Sequence, residues 1–475
     1  LLNNTANISW VNTTGIFNTK NTTINTTVTG TIQADSCRTL MVSGNYLLSQ
    51  NLSIAGNFSS CFNLTANNIF LDCNGYWLRG NRSEGQHGIN ASALNNITIQ
   101  NCMITNFTDG IVFSRVKNAT IFNNTALNNS DDGFDIRSTN FSVFSHNNAS
   151  RNFDTNILFA AGWYNNITNN TADNAYGDVY SNGITVTVNS KENILINNTV
   201  LNNQNTGVLI TQSDNNSILN NTVFANGEDG IVLNLSLTNI VRGNLVRNNS
   251  DDGIVLDTTN LSVVDLNNAS RNGDNNIILF DSNYNNITNN TAALAAGTGF
   301  NNGIAISNRS NNNRIINNTA IDNSDDGIQL IRSNSSIVAY NRVLNNGDDG
   351  IDISNDTGHN ISFNYIQGNY LGIALTPGFG IWIENNTITN NTNDGIFIAR
   401  HSENSTIVRN LITDHFAVGG AGINLYTNNS PNHNITISHN IINGTGNHGI
   451  IVLNLSQNIS IVNNTIRFTG MSNPS

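Results

Sequence analysis

Residues 228–257 read EDGIVLNLSLTNIVRGNLVRNNSDDGIVLD, and the fold follows from how this stretch repeats itself. The Asp-Gly-Ile step at Gly230 returns at Gly253, and short apolar runs separated by Asn-rich turns lie between the two. GIVLNLS alternates apolar and polar residues with a period of two, which is the pattern of a strand with one buried face; helical repeats would space their apolar residues at 3.6. Working outward, the same step occurs at Gly88, Gly110, Gly133, Gly183, Gly207, Gly303, Gly327, Gly350, Gly372, Gly395, Gly422 and Gly449, with Asn156 and Asn276 replacing the glycine in two places. Asn tolerates a left-handed backbone best after Gly, so that conformation is expected at every step. The steps define sixteen coils at intervals of 22 to 27 residues. One coil cannot bury its own apolar face, so coils must stack, each strand pairing with its equivalents at ~4.8 Å. The expectation is an all-β parallel β-helix of about sixteen coils, with Ile231, Leu233, Ile254, Leu256, Ile328 and Leu330 pointing inward.

A second period lies above the first. Residues 130–172 superimpose on residues 250–292, SDDGF…TNFS…NNASRN…YNNITNNTA against SDDGI…TNLS…NNASRN…YNNITNNTA, an offset of 120 residues or five coils. The longer coils recur near that interval and predict protruding loops near Tyr176, Phe300 and Phe416. Such equivalent protrusions suit repeated contacts between subunits. Residues 1–30 lack the glycine step, and Ile24, Thr26 and Val28 alternate with polar residues as a strand would. We divide the chain into an N-terminal arm or cap at 1–30 and the β-helix at 31–475; the first segment either covers the open end of the helix or adds a strand to a neighbouring molecule.

Composition narrows the function classes. Hydrophobic residues make up 38% and charged residues 11%, enough apolar content for a core. The net charge is -12 and the 19 Lys plus Arg are scattered singly, which argues against a nucleic-acid partner. No apolar run reaches the ~18 residues of a membrane span. A start at Leu1 is what a mature product shows after loss of a signal segment. The tripeptide N-x-[ST] recurs throughout, as at Asn7, Asn57, Asn118, Asn234, Asn360 and Asn434, which are candidates for covalently attached N-glycans, although Asn is also a turn builder. Four cysteines cluster at one end without CxxC spacing, so disulfides are expected, Cys37 with Cys61 and Cys73 with Cys102. An extracellular, cell-surface location follows.

These coils resemble the right-handed parallel β-helix repeat proteins of the pectin-lyase-like superfold, in the branch of NosD-like and archaeal surface proteins. The resemblance covers residues 35 to 470 and is carried by the glycine steps and by the opening CRTLMVSGNYLLSQNLSI and LTANNIFLDCNGYWLRG. It implies stacked asparagine ladders at one turn, here Asn124, Asn170, Asn198 and Asn221. It implies a fold and no particular activity.

Acidic pairs precede the glycine on neighbouring coils, so stacking should bring Glu228 and Asp229 beside Asp251 and Asp252, and Asp325 and Asp326 beside Asp348 and Asp349. The last four are the candidate metal ligands, with calcium as the ion, since stacked carboxylates hold Ca²⁺ or raise one another's pKa. The pectate-lyase pattern would also need an arginine, for which Arg332 and Arg400 are candidates, and the polygalacturonase pattern a His-Gly near the Asp pairs. Tyr370, Leu371 and Gly372 stand where that His-Gly is wanted, and His87 and His448 are read as far from the pairs. Asp-Gly is also ordinary turn chemistry. Trp163, Tyr164, Tyr284 and Trp382 could stack on sugar rings. No catalytic residue is assigned and no cofactor other than calcium is expected. The leading expectation is a glycosylated structural subunit of a filament, sheath or surface layer that self-associates into a polymer, more a scaffold than an enzyme. The alternative is a polysaccharide-binding or polysaccharide-cleaving lyase or hydrolase.

Overall fold

The computed structural model describes residues 5–11, 17–23, 30–54, 58–177, 180–415, 420–427, 430–445 and 448–467. Among them there is no helix. Apart from two short two-stranded pairs, the strands form three parallel sheets of eighteen, nineteen and eighteen strands, so the chain is a β-solenoid of about eighteen turns. The chain divides into two compact units, Leu1–Gly227 and Glu228–Ser475.

In the first unit the first sheet runs through Ser60–Leu64, His87–Ser92, Asp109–Ser114, Phe134–Arg137, Ile157–Ala160 and Ile184–Thr187, with Ile111 opposite Phe134 and Phe134 opposite Ile157. In the second unit Ile231 lies opposite Ile254 and Leu233 opposite Leu256, while Ile328 and Leu330 face Ile351 and Ile353. All six residues expected to point inward are fully buried.

The two coils beyond the sixteen come first in the chain, at Arg38–Leu40 and Ser60–Leu64. They carry no step glycine, because cysteines occupy that column. Phe62 pairs with Ile89 and with Arg38, so Cys61 stands level with Gly88 and Cys37 level with Cys61. The Cys37–Cys61 disulfide therefore staples two successive coils, and Cys73–Cys102 closes the second link.

The role of the step glycines differs from the expectation. Their backbones are not left-handed, nor are those of Asn156 and Asn276. A Cβ on Gly110, Gly133 or Gly253 would lie 2.4 to 2.5 Å from the carbonyl oxygen of the next coil. Glycine is selected here because two backbones pass too closely for a side chain. Left-handed residues stand instead at the corners, where many are asparagines, such as Asn123, Asn169, Asn197 and Asn220, with φ between 52° and 56°.

The residue after each of these corners is a buried asparagine, and these form the expected ladder with Asn147 as an added rung. Nδ2 of Asn124, Asn147, Asn170 and Asn198 donates in turn to Oδ1 of Asn147, Asn170, Asn198 and Asn221, at 3.0 to 3.1 Å. The second unit repeats the device from Asn318 through Asn341 and Asn364 to Asn386. This turn chemistry also accounts for the recurrence of Asn-Asn-Thr. The first Asn makes the left-handed corner, the second fills the ladder, and Thr opens the next strand.

Residues 5–11 and 17–23 form an antiparallel pair. The alternating segment at residues 24–29 lies outside the described residues. Of the three expected loops, Tyr176 and Phe300 are exposed and Phe416 lies outside the described residues. Among the glycan candidates, Asn118 and Asn434 are exposed and Asn234 and Asn360 half-buried; Asn57 and the side chain of Asn7 lie outside the description.

Candidate functional site

The carboxylates sit where the stacking argument puts them. The inner aspartate of each pair stands directly before a first-sheet strand, and its Oδ1 accepts the backbone amide of the equivalent residue one coil on. Asp132 donates in this way to Asp109 at 3.0 Å, Asp252 to Asp229 at 3.0 Å, and Asp349 to Asp326 at 2.9 Å. Asn275 and Asn302 play the same part in neighbouring coils, so part of the column is structural.

The inner aspartates cost more to keep charged. One oxygen each from Asp325, Asp326 and Asp348 lies within 4.8 Å of the others, and the same holds for Asp229, Asp251 and Asp252. Asp349, the fourth candidate ligand, belongs to the same column, and its Oδ1 is buried without a hydrogen-bond partner. Burial first, and then the neighbouring carboxylates, push Asp349 and Asp252 up to about 8. Gln329 donates to Asp326 Oδ2 at 3.0 Å. Arg332 and Arg400 follow their first-sheet strands and so stand at the other edge of that sheet from the aspartate column.

A third cluster, in the first unit, lies beyond the sequence expectation. His87 is not remote from the acidic residues: it pairs in register with Asp109, and its Nδ1 lies 2.9 Å from Asp109 Oδ2. Asp109, Asp131 and Asp132 bring oxygens within 4.8 Å of one another. On the outward face of the same sheet Asp135 is held by Arg137, whose Nε lies 2.7 and 2.9 Å from its two oxygens. Burial, followed by the charges of Asp109, Asp154 and Asp135, pushes Asp131 up to about 6, while Arg137 opposes them. Burial raises Asp132 further, and its Oδ1 lacks a partner. The legible signal was HG at 87–88, TDG at 108–110 and SDDG at 130–133, each one coil apart.

Three exposed aromatic residues lie past the other end of the strands of this sheet. Phe141 follows the strand Phe134–Arg137, and Trp163 and Tyr164 follow Ile157–Ala160. Phe141 and Tyr164 stack at 5.2 Å with their planes 6° apart. Carboxylates thus precede these strands and these three residues follow them, while the exposed pair Phe153 and Tyr176, with ring centroids 5.5 Å apart, stands on the carboxylate side next to Asp154. Tyr284 and Trp382 are exposed in the second unit.

The family model described as right handed beta helix region matches residues 150–265, 182–343 and 302–466. The chain belongs to this right-handed β-helix family. A second model, described as periplasmic copper-binding protein (NosD), matches residues 48–182. Neither match distinguishes an archaeal surface-protein branch. No curated protein matches the chain. Among solved structures, the A-module of mannuronan C-5 epimerase AlgE6 of Azotobacter vinelandii is similar at 13% identity, covering 90% of this chain and 92% of that one, with a TM-score of 0.29. A variant of the periplasmic alginate epimerase AlgG is similar at 12%, covering 92% and 84%, with a TM-score of 0.31. Pectate lyase Pel9A is similar at 14%, covering 59% and 68%, with a TM-score of 0.35. These likenesses are of fold alone.

Proposed function

We propose that this β-helix protein works outside the cytoplasm and cleaves glycosidic bonds of a polysaccharide bound along the outer face of the first sheet in the first unit. The observation that carries the reading is Asp131, a half-buried carboxyl pushed up to about 6 by burial and by the charges of Asp109, Asp154 and Asp135, with His87 on Asp109. Carboxylates this close cannot all ionise, so one holds a proton near neutrality and can act as a general acid. His87, turned toward Asp109 through Nδ1, supplies the complementary base through its other ring nitrogen. Arg137 positions the outward Asp135 and opposes the upward push that burial gives its carboxyl. The rings of Phe141, Trp163 and Tyr164 across the sheet suit the stacking of sugar faces.

Charge selects the substrate class. Five aspartates, 109, 131, 132, 135 and 154, face one arginine and one histidine, so an uncharged glycan is accepted more easily than a polyuronate. The two disulfides support an oxidising compartment. The filament reading rests on the loops at Tyr176, Phe300 and Phe416 and on the arm, and gains no further support.

The test is incubation of the protein with a panel of neutral and acidic polysaccharides, following new reducing ends and unsaturated ends separately. Reducing ends alone, lost in Asp131→Asn, are expected. Unsaturated ends would replace hydrolysis by elimination. Inactivity and absence of binding across the whole panel would return the protein to the structural class.

A further inference from the structure

We propose that His401, Glu403 and His433 form a site for a divalent transition-metal ion of the zinc type. The site is independent of the carboxylate clusters and lies outside the 48–182 segment.

The fold places the three residues as follows. Glu403 and His433 are successive rungs of a corner column that runs Phe379, Glu403, His433, Gln457, so their side chains stack on neighbouring coils. His401 precedes Glu403 by two residues with φ of 70°, which returns its ring to the same corner. Its Nε2 lies 2.9 Å from Glu403 Oε1, and its ring centroid is 5.4 Å from that of His433, the planes 82° apart. One donor atom from each residue lies within 4.8 Å of the others. His401 is exposed and the other two are half-buried, which leaves a coordination position open to water.

The hydrogen bonding around His401 points to a cation. Its Nδ1 lies 3.2 Å from the carbonyl oxygen of Pro431, which can only accept, so Nδ1 carries the proton. In the neutral ring Nε2 would then present a lone pair to a carboxylate oxygen at 2.9 Å, two acceptors facing each other. Something positive has to settle that contact. A second proton does so, and so does a metal ion, which with bonds of about 2.0 to 2.2 Å would hold its ligand atoms roughly 3.3 Å apart. The Pro431 carbonyl then has the part usual behind a metal-bound imidazole, fixing tautomer and ring orientation. Two imidazoles and one carboxylate suit Zn²⁺ and its borderline neighbours, whereas Ca²⁺ and Mg²⁺ call for oxygen ligands. Where the second proton occupies Nε2, metal binding releases it to solvent as the metal takes the lone pair, which balances the exchange.

Calorimetric titration of the untagged full chain with zinc chloride, with calcium chloride as control, tests the assignment. The expected result is one zinc per chain at this site, with protons released at mildly acidic pH as judged from two buffers of different ionisation enthalpy. His401→Ala with His433→Ala should abolish that binding, and Asp326→Asn with Asp349→Asn should leave it intact. Glu403→Gln, which preserves shape, should weaken Kd about tenfold or more. Because binding favours the folded form, zinc should raise Tm of the parent and not of the double variant. Absence of zinc binding, or zinc binding unchanged in the double variant, overturns the proposal. Should the double variant fail to fold, an unchanged Kd in Glu403→Gln overturns it equally.

Discussion

Asn156 donates from Nδ2 to Oδ1 of Asn203, 2.8 Å away and 47 residues on, skipping the coil between them. That coil contributes Ala175 where a ladder asparagine would stand, and the amide of Ala175 shares the same Asn203 oxygen at 3.0 Å. Asn152, the rung below, donates to Asn156 Oδ1 at 2.8 Å. Asn156 thus fills from the step position the rung that Ala175 leaves empty. The same substitution recurs with Asn276, Ala295 and Asn323, so the 120-residue period records a packing solution as well as a sequence duplication.

Asn156→Gly should therefore cost about 1 to 3 kcal/mol, because it removes three buried hydrogen bonds at once, to Asn152, to Asn203 and to the Asp173 carbonyl. Adding Ala175→Asn should recover most of the loss by rebuilding an ordinary rung. Urea denaturation of the two single variants and the double variant measures the coupling; strictly additive effects would show that the two positions do not share a site.

Gly133→Ala and Gly75→Ala separate two reasons for glycine. A Cβ at Gly133 would meet the Asn156 carbonyl at 2.5 Å, and that oxygen cannot move without parting two coils. At Gly75 nothing lies within 4 Å but φ is +80°. The first variant should lose about 3 kcal/mol or fail to fold, and the second about 1 kcal/mol. Equal melting temperatures for the two would refute the steric account.

The aspartate column makes stability fall with rising pH. Asp252 and Asp349 are pushed up to about 8 and Asp229 and Asp352 to about 7, burial being the first cause in each. An unfolded aspartate titrates near ~4. Because the folded values are the higher, the protonated acids stabilise the fold fully below about pH 4, and that contribution is lost as pH climbs through 7 to 8. Melting should occur at lower temperature at pH ~9 than at pH ~5. Asp252→Asn keeps an acceptor for the Asn275 amide and removes the charge. Calorimetry at high pH should place this variant several degrees above the parent; a lower melting point would mean that the charge is neutralised in some other way.

Asp131→Asn should lower the rate of glycoside cleavage by ~10² to 10⁴ with little effect on binding, the usual range for loss of a positioned general acid. In the parent, activity should decline as pH rises through about 6, where Asp131 gives up its proton. Kinetics across pH on a soluble oligosaccharide would show this limb, and its persistence in Asp131→Asn would assign the proton to another group.

The repeat, the inward columns and the stacking of acidic pairs are legible in the residues alone, because a period of two within a period of about 23 residues leaves only one way to bury the apolar face. Ile254 and Asp252 were legible for that reason. Tertiary structure decided what depends on level rather than on spacing. Cys37 and Cys61 hide two coils by occupying the glycine column. Close backbone approach and left-handed geometry both select glycine, and it is the folded backbone that makes Gly133 a case of the first. His87 stood one coil from Asp109 throughout, yet their contact exists only once strands pair in register. Glu403 and His433 are 30 residues apart, off the common period, and only the stacking of an enlarged coil on its neighbour makes them adjacent rungs.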